Sequence, residues 1–350
     1  MKIFEALNQM RSRLPLERTG RSFIETLQSE FSEYILLLKE IDEDDFIALF
    51  TNEGATKNKD LTKRKFISFV KRMHDTINSI VSIYYNGYPS DAYLLLEDLL
   101  KGKKFTPKKK GARCASPGFY IDDILENYFL LRFQNEFANL YRMRISNNSL
   151  SKEGLFHVPF ELREWVATAR FSIPGFPCLY FGTSLNVCWN EIKRDLENGE
   201  NAYACRYQNC KPIAFVNLTI PDVFPDNIVD TDSHFVFRFL VTYPFYLSCL
   251  VKVNETKHSF KPEYVLPQLL LQYVKKQDML NGIIYSSTKD KNLVGEKYNN
   301  IVIPARKIAA IGYCENAKEW YCSTMPIVVD LNNIDVSENE LNNQPTTKIT

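Results

Sequence analysis

The chain carries almost no net charge: 43 Lys and Arg stand against 42 Asp and Glu, a formal +1. That balance excludes a globally basic nucleic-acid binder and an acidic solvating protein, and leaves only local patches open. Long hydrophobic runs are missing too. The strongest candidate, residues 239–251, falls well short of the ~20 residues a spanning helix needs, and Pro244 interrupts it. The first residues, MKIFEALNQMRSRLPLER, hold no apolar h-region, so the expectation is a cytoplasmic protein without a membrane partner. Eight cysteines include no CxxC pair, the tightest spacing being Cys205-x4-Cys210. His74, His157, His234 and His258 are scattered, with no HExxH. No metal site is expected from such spacings. Cys178, Cys188 and Cys249 sit among apolar residues and read as small core hydrophobes. Reduced cytoplasmic thiols give no reason to expect a disulfide. The sequons at Asn147, Asn217 and Asn254 would matter only in a secreted chain. No internal repeat is found.

What is present is an ordinary globular composition, 45% hydrophobic and 24% charged, over 350 residues, enough for two domains. The first ~135 residues read as helical. Over 60–85, Phe66, Phe69, Val70, Met73, Ile77, Ile80, Val81 and Tyr84 fall on one helical face. Gly87 and Pro89 end that helix, and Ser90 can cap the next. Residues 23–50 predict two shorter helices, and 121–140 another. The expectation is a small all-α bundle over 1–137. Within it, residues 101–113 hold Lys101, Lys103, Lys104, Lys108, Lys109, Lys110 and Arg113 with no acid, a solvated loop or a contact for phosphate or an acidic partner.

Near Leu140 the pattern changes to short β-like runs: 141–145, 178–182, 202–207, 213–220, 282–287, 300–304 and 307–313. Two helices interrupt them, one capped by Ser184 and running through Leu196, the other over 263–276. This predicts an α+β domain on a bent mixed sheet over 138–335, followed by a flexible polar tail, 336–350.

The segment 156–195 is the densest in chemistry-bearing residues. Arg170 precedes a Pro174-Gly175 turn, Tyr180 lies on a strand, and a Ser184-capped helix presents Glu191. A strand end and the helix after it can aim an aromatic ring and a carboxylate into one cleft. His157 and Trp189 in the same stretch read as structural.

Together these residues resemble the RES domain family. Its pattern is met by Tyr141-Arg142, Arg170 with Gly175, Leu179-Tyr180, Glu191 after 11 residues, Tyr285-Ser286-Ser287, and the strand beginning Asn299-Asn300-Ile301-Val302. The likeness covers about 140–315. Departures are Thr168-Ala169 where many members carry Gly-Gly, Phe171 where they carry Trp, and Ser286 where Pro is common. The resemblance implies an ADP-ribosyltransferase-like fold and NAD as substrate rather than cofactor. It also implies a toxin role, with a small helix-turn-helix antitoxin as partner. The helical half is more weakly similar to HEPN-type extensions. The Arg-x4–6-His signature of catalytic members is absent, since Arg72 lies two residues before His74. A non-catalytic sensing or docking role is therefore expected there.

Cleaving the nicotinamide–ribose bond builds positive charge on the ribose, which a carboxylate stabilises. Glu191, Tyr180 and Ser287 are the catalytic candidates. Arg142 and Arg170 suit the pyrophosphate, Tyr180 the nicotinamide face, and Ser286 a further substrate contact. There is no GxGxxG after a strand, which argues against a Rossmann-bound redox cofactor. A protein ADP-ribosyltransferase using the same site, and a non-catalytic nucleic-acid or partner-binding module, are the alternatives.

Overall fold

The computed structural model describes residues 1–18, 22–51, 63–101, 130–133, 139–224, 233–253, 258–289 and 298–349. The basic stretch 102–113 and most of the helix expected over 121–140 lie outside them. Where the latter is described, at 130–133, the chain is a strand. The helices are α1 (Ile3–Ser12), α2 (Phe23–Glu40), α3 (Glu43–Thr51), α4 (Lys63–Tyr85), α5 (Pro89–Leu100), α6 (Leu185–Ile192), α7 (Ser233–Cys249), α8 (Val265–Lys276), α9 (Glu315–Trp320) and α10 (Ile334–Asn343). The strands are β1 (Leu130–Phe133), β2 (Leu140–Ser146), β3 (Cys178–Gly182), β4 (Asn201–Asn209), β5 (Ile213–Leu218), β6 (Gly282–Ser286), β7 (Asn299–Pro304), β8 (Tyr321–Ser323), β9 (Ile327–Val328) and β10 (Thr347–Lys348).

The chain forms two compact units, and the first is discontinuous: Met1–Leu130 with Pro221–Leu270. Its helices start as the local sequence dictates. Ser22 accepts from the Glu25 amide at 3.2 Å while Glu25 accepts from the Ser22 amide at 2.9 Å, a reciprocal cap. On α4 the expected apolar face is buried from Phe66 to Val81, and Gly87 follows at φ +86°. Helix α5 begins with Pro89 in its first turn rather than with Ser90 as cap, because proline's missing N–H costs nothing there. The unit centres on α7, which packs with α2, α3 and α4. From Val236 to Leu247 it buries residues on nearly all sides. With no polar face it shows no helical periodicity, so the pattern did not predict it. Pro244 inside α7 cannot donate to the Leu240 carbonyl. The Tyr34 hydroxyl donates to that carbonyl instead, at 2.6 Å.

The second unit, Leu131–Ile220 with Leu271–Thr350, carries the sheet. The division differs from the expected boundaries. Residues 221–270, inside the expected 138–335 domain, pack with the N-terminal helices because α7 needs apolar cover on several faces. The strand order is β1-β5-β6-β7-β3-β2-β4-β8-β10, with β9 also on β4. The β5–β6 pair is parallel, whereas β6–β7 and β7–β3 are antiparallel, so the sheet is mixed and the fold α+β. One core covers a face through Leu140, Leu179, Phe181, Ile301 and Ile303. A smaller one lies on the other face with Tyr141, Met143 and the α6 residues Leu185 and Cys188.

Three further expectations are corrected. Residues 307–313 are not a strand: Gly312 adopts φ +79°, and its N–H and C=O are engaged by the Glu161 carboxylate and the Phe160 amide. The helix after Ser184 ends at Ile192, short of Leu196. The expected tail at 336–350 is structured where it is described, through residue 349, by α10 and β10. Arg206 donates to the Leu341 and Gln344 carbonyls, and Lys152 to those of Ser323 and Thr347.

Candidate active site

Strands β3 and β6 run in the same direction on either side of β7, so their C-terminal ends and the start of β7 share one edge of the sheet. The first turn after β3 is held there: the Thr183 amide donates to the Asn299 carbonyl at 2.9 Å, and the Asn299 amide to Thr183 Oγ1 at 2.9 Å. Helix α6 starts at once. Ser184 Oγ accepts from the Val187 amide at 3.3 Å, and Glu338 of α10 accepts from the Leu185 amide at 2.7 Å. The helix rests close on β3 because Gly182 has no side chain. A Cβ there would stand 2.8 Å from Cys188 Sγ.

This arrangement carries Glu191 over the strand ends. Ser287 Oγ donates to Glu191 Oε1 at 2.8 Å, and Asn300 Nδ2 donates to the same oxygen at 2.8 Å. The Lys289 amide donates to Ser287 Oγ at 3.3 Å, which leaves the serine proton for the carboxylate. Lys289 Nζ lies 3.5 Å from Glu191 Oε2 and also donates to the Glu191 carbonyl, in the last turn of α6. Arg170, 8% exposed, donates to Thr288 Oγ1 at 2.9 Å and so reaches the same segment. Ser287 and Asn300 are buried, whereas the Glu191 side chain keeps about a third of its surface. The result is a water-facing carboxylate on a buried polar floor.

The two serines part company by strand alternation. Ser286 Oγ turns away from Glu191, donating to Asn299 Oδ1 at 2.8 Å and accepting from the Ile220 amide at 2.8 Å. Ser286 is thus a tie between β6, β7 and the end of β5, not a lining residue as expected. Tyr180 stands beside the cluster on the Asn300 face of β3, opposite Val302. Its residue is partly exposed while its hydroxyl is buried near Ser172, without a hydrogen bond of good geometry among the described residues. Burial pushes that phenol well above its ordinary pKa.

Arg142 is not brought to Glu191. It alternates with Tyr141 and Met143 and so shares the face of Leu140, and its Nη1 donates to the Tyr180 carbonyl at 2.7 Å. Strands β2 and β3 pair only at Tyr141↔Gly182, and the arginine satisfies a carbonyl where they part. His157 is structural as expected: its Nδ1 donates to the Val158 carbonyl and its Nε2 accepts from the Cys314 amide. Trp189 is partly buried against the smaller core. Cys178, Cys188 and Cys249 are buried. Among the described residues no three His, Cys, Asp or Glu converge as metal ligands, and no helix is long and apolar enough to cross a membrane. Thr288 and Lys289 were missed by sequence reasoning. Asn300 stood in the motif without a role.

An α+β chain with a carboxylate held by two neutral donors at a sheet edge is the class that fold and site define. No protein-family model and no solved structure matches it. A Bacillus subtilis (strain 168) protein named "Putative toxin YopC" is 30% identical over 330 residues, which cover 90% of this chain and 68% of that protein. The chain belongs to the family of that protein.

Proposed function

We propose that this chain is a toxin that consumes NAD by breaking its nicotinamide–ribose bond and passing ADP-ribose to water or phosphate. The toxin part is supported by the name of its relative. The chemistry rests on one observation, the convergence on Glu191 of Ser287 and Asn300, 96 and 109 residues downstream. As the bond to nicotinamide lengthens, positive charge spreads over the ribose, and the Glu191 carboxylate opposes it. Arg170 offers planar donors to a pyrophosphate, and the exposed part of Tyr180 offers a π-face to nicotinamide. This reading implies an ADP-ribosyltransferase-like fold for the second unit, with which its mixed sheet is compatible. The first unit is read as non-catalytic, and an antitoxin is the expected partner.

The test is to incubate the purified full chain with NAD and separate the products by chromatography. Free nicotinamide should appear. Glu191→Gln, which keeps shape and removes charge, should slow its release by about 10²–10³. A wild-type chain that releases none, or a variant as fast as wild type, removes NAD cleavage at this carboxylate.

A further inference from the structure

Resting on the NAD-cleavage reading, we propose that Asn300 is the positioning residue that decides which oxygen of Glu191 works. The two carboxylate oxygens are not equivalent. Oε1 accepts from both Ser287 Oγ and Asn300 Nδ2, each at 2.8 Å, which uses up its in-plane capacity. Oε2, among the described residues, meets Lys289 Nζ at 3.5 Å, an ion pair whose side chains stay partly exposed. Oε1 is therefore the anchored oxygen, and Oε2 is the one presented to the ribose. Of the two anchors, Asn300 lies within a strand, whereas Ser287 follows the end of β6. It is 5% exposed in the middle of a three-strand register, opposite Gly182 on β3 and Tyr285 on β6. Its neighbour Asn299 is committed to Ser286. A carboxamide at 300 supplies a donor without charge. The other charged groups nearby are Lys289 and Arg170, with Asp335 and Glu338 on α10 held by Asn186 and the Leu185 amide.

A positioning role makes a prediction that packing does not. Asn300→Asp is isosteric but turns the donor into a second carboxylate against Oε1. It should lose at least as much activity as Asn300→Ala, whereas a space-filling role would favour the isostere. Loss of one hydrogen bond to a charged group predicts a fall in kcat of roughly ten- to a hundredfold. KM for NAD should stay within about twofold, because in this role Asn300 acts on Glu191 and not on the substrate. A readout independent of turnover is the side-chain carboxyl ¹³C resonance of Glu191, assigned through Glu191→Gln at fixed neutral pH. It should move in Asn300→Ala and in Ser287→Ala, and stay put in Ser286→Ala. A resonance unmoved in Asn300→Ala, or an aspartate variant more active than the alanine variant, overturns the proposal. Wild-type protein that releases no nicotinamide while the resonance moves as stated sinks the NAD reading and leaves the positioning of Glu191 standing. If Asn300→Ala fails to fold, Asn300→Asp carries both measurements.

Discussion

At the residue scale, adjacent serines in one dipeptide do different work. Ser286 Oγ satisfies the Ile220 amide and the Asn299 carboxamide inside the unit, while Ser287 Oγ faces Glu191. Ser286→Ala should therefore lower stability by about 1–3 kcal/mol, the cost of unsatisfied buried groups, and show as a lower midpoint in urea. Ser287→Ala should change stability by less than about 1 kcal/mol and cut nicotinamide release instead. Equal midpoints for the two variants would contradict the division. Part of the site was legible in the sequence. Arg170, Tyr180, Glu191 and Ser287 stand in an order and spacing that resemble a family pattern, and the structure gathers Arg170, Glu191 and Ser287 at one edge. Arg142 and Ser286, the latter ranked behind Ser287 as the motif serine, were placed in the site with them because spacing does not report which face of a strand a side chain takes. Asn300 stayed without a role since an asparagine in a buried strand discloses its partner only when a distant helix is folded over it.

At the element scale, strands with dense β-branched and aromatic runs were readable: the expected 178–182 is β3 itself, and 300–304 is β7 less one residue. Helix α7 was not, because burial on all sides removes the amphipathic signal and its internal proline imitates punctuation. The loop 307–313 erred the other way, since its apolar residues are exposed, Ile311 by 72%. The seat of α6 is the element on which the site depends. Gly182→Ala would set a methyl 2.8 Å from Cys188 Sγ and 3.0 Å from the Ser184 carbonyl, so α6 must shift. Overpacking of this kind costs about 1–3 kcal/mol. Because Glu191 rides on that helix, nicotinamide release should fall more than the loss in melting temperature accounts for. A variant with normal turnover would show that α6 can give way without moving its carboxylate.

At the scale of the whole molecule, each unit buries a histidine in its neutral form. His74 stacks on Phe31 at 3.8 Å in the first unit, and burial lowers its pKa from 6.5 to about 4. His157 in the second is lowered to about 4 as well, chiefly by burial, with Arg142, Arg144 and Lys318 adding to the effect. Unfolding restores an ordinary value, so between pH 6.5 and 4 the unfolded chain binds more protons than the folded one. The stability these residues contribute is complete above about pH 6.5 and is lost as the pH falls towards 4, by roughly 3 kcal/mol each at most. Urea titrations at pH 7 and pH 4.5 should show that loss, and His74→Gln with His157→Gln should flatten it. A double variant as acid-sensitive as wild type would place the sensitivity elsewhere.

The discontinuity of the first unit also imposes an order in time. Helices α1–α5 leave the ribosome before α7, on which α2, α3 and α4 pack, and β1 to β5 emerge in the interval. Glu191 is synthesised 96 residues before Ser287 and 109 before Asn300. At ~5–20 residues per second, the nascent chain carries its carboxylate without either donor for about 5–20 s. On the NAD-cleaving reading proposed above, that interval is a period of enforced harmlessness, and the first unit too waits for α7 before it can close.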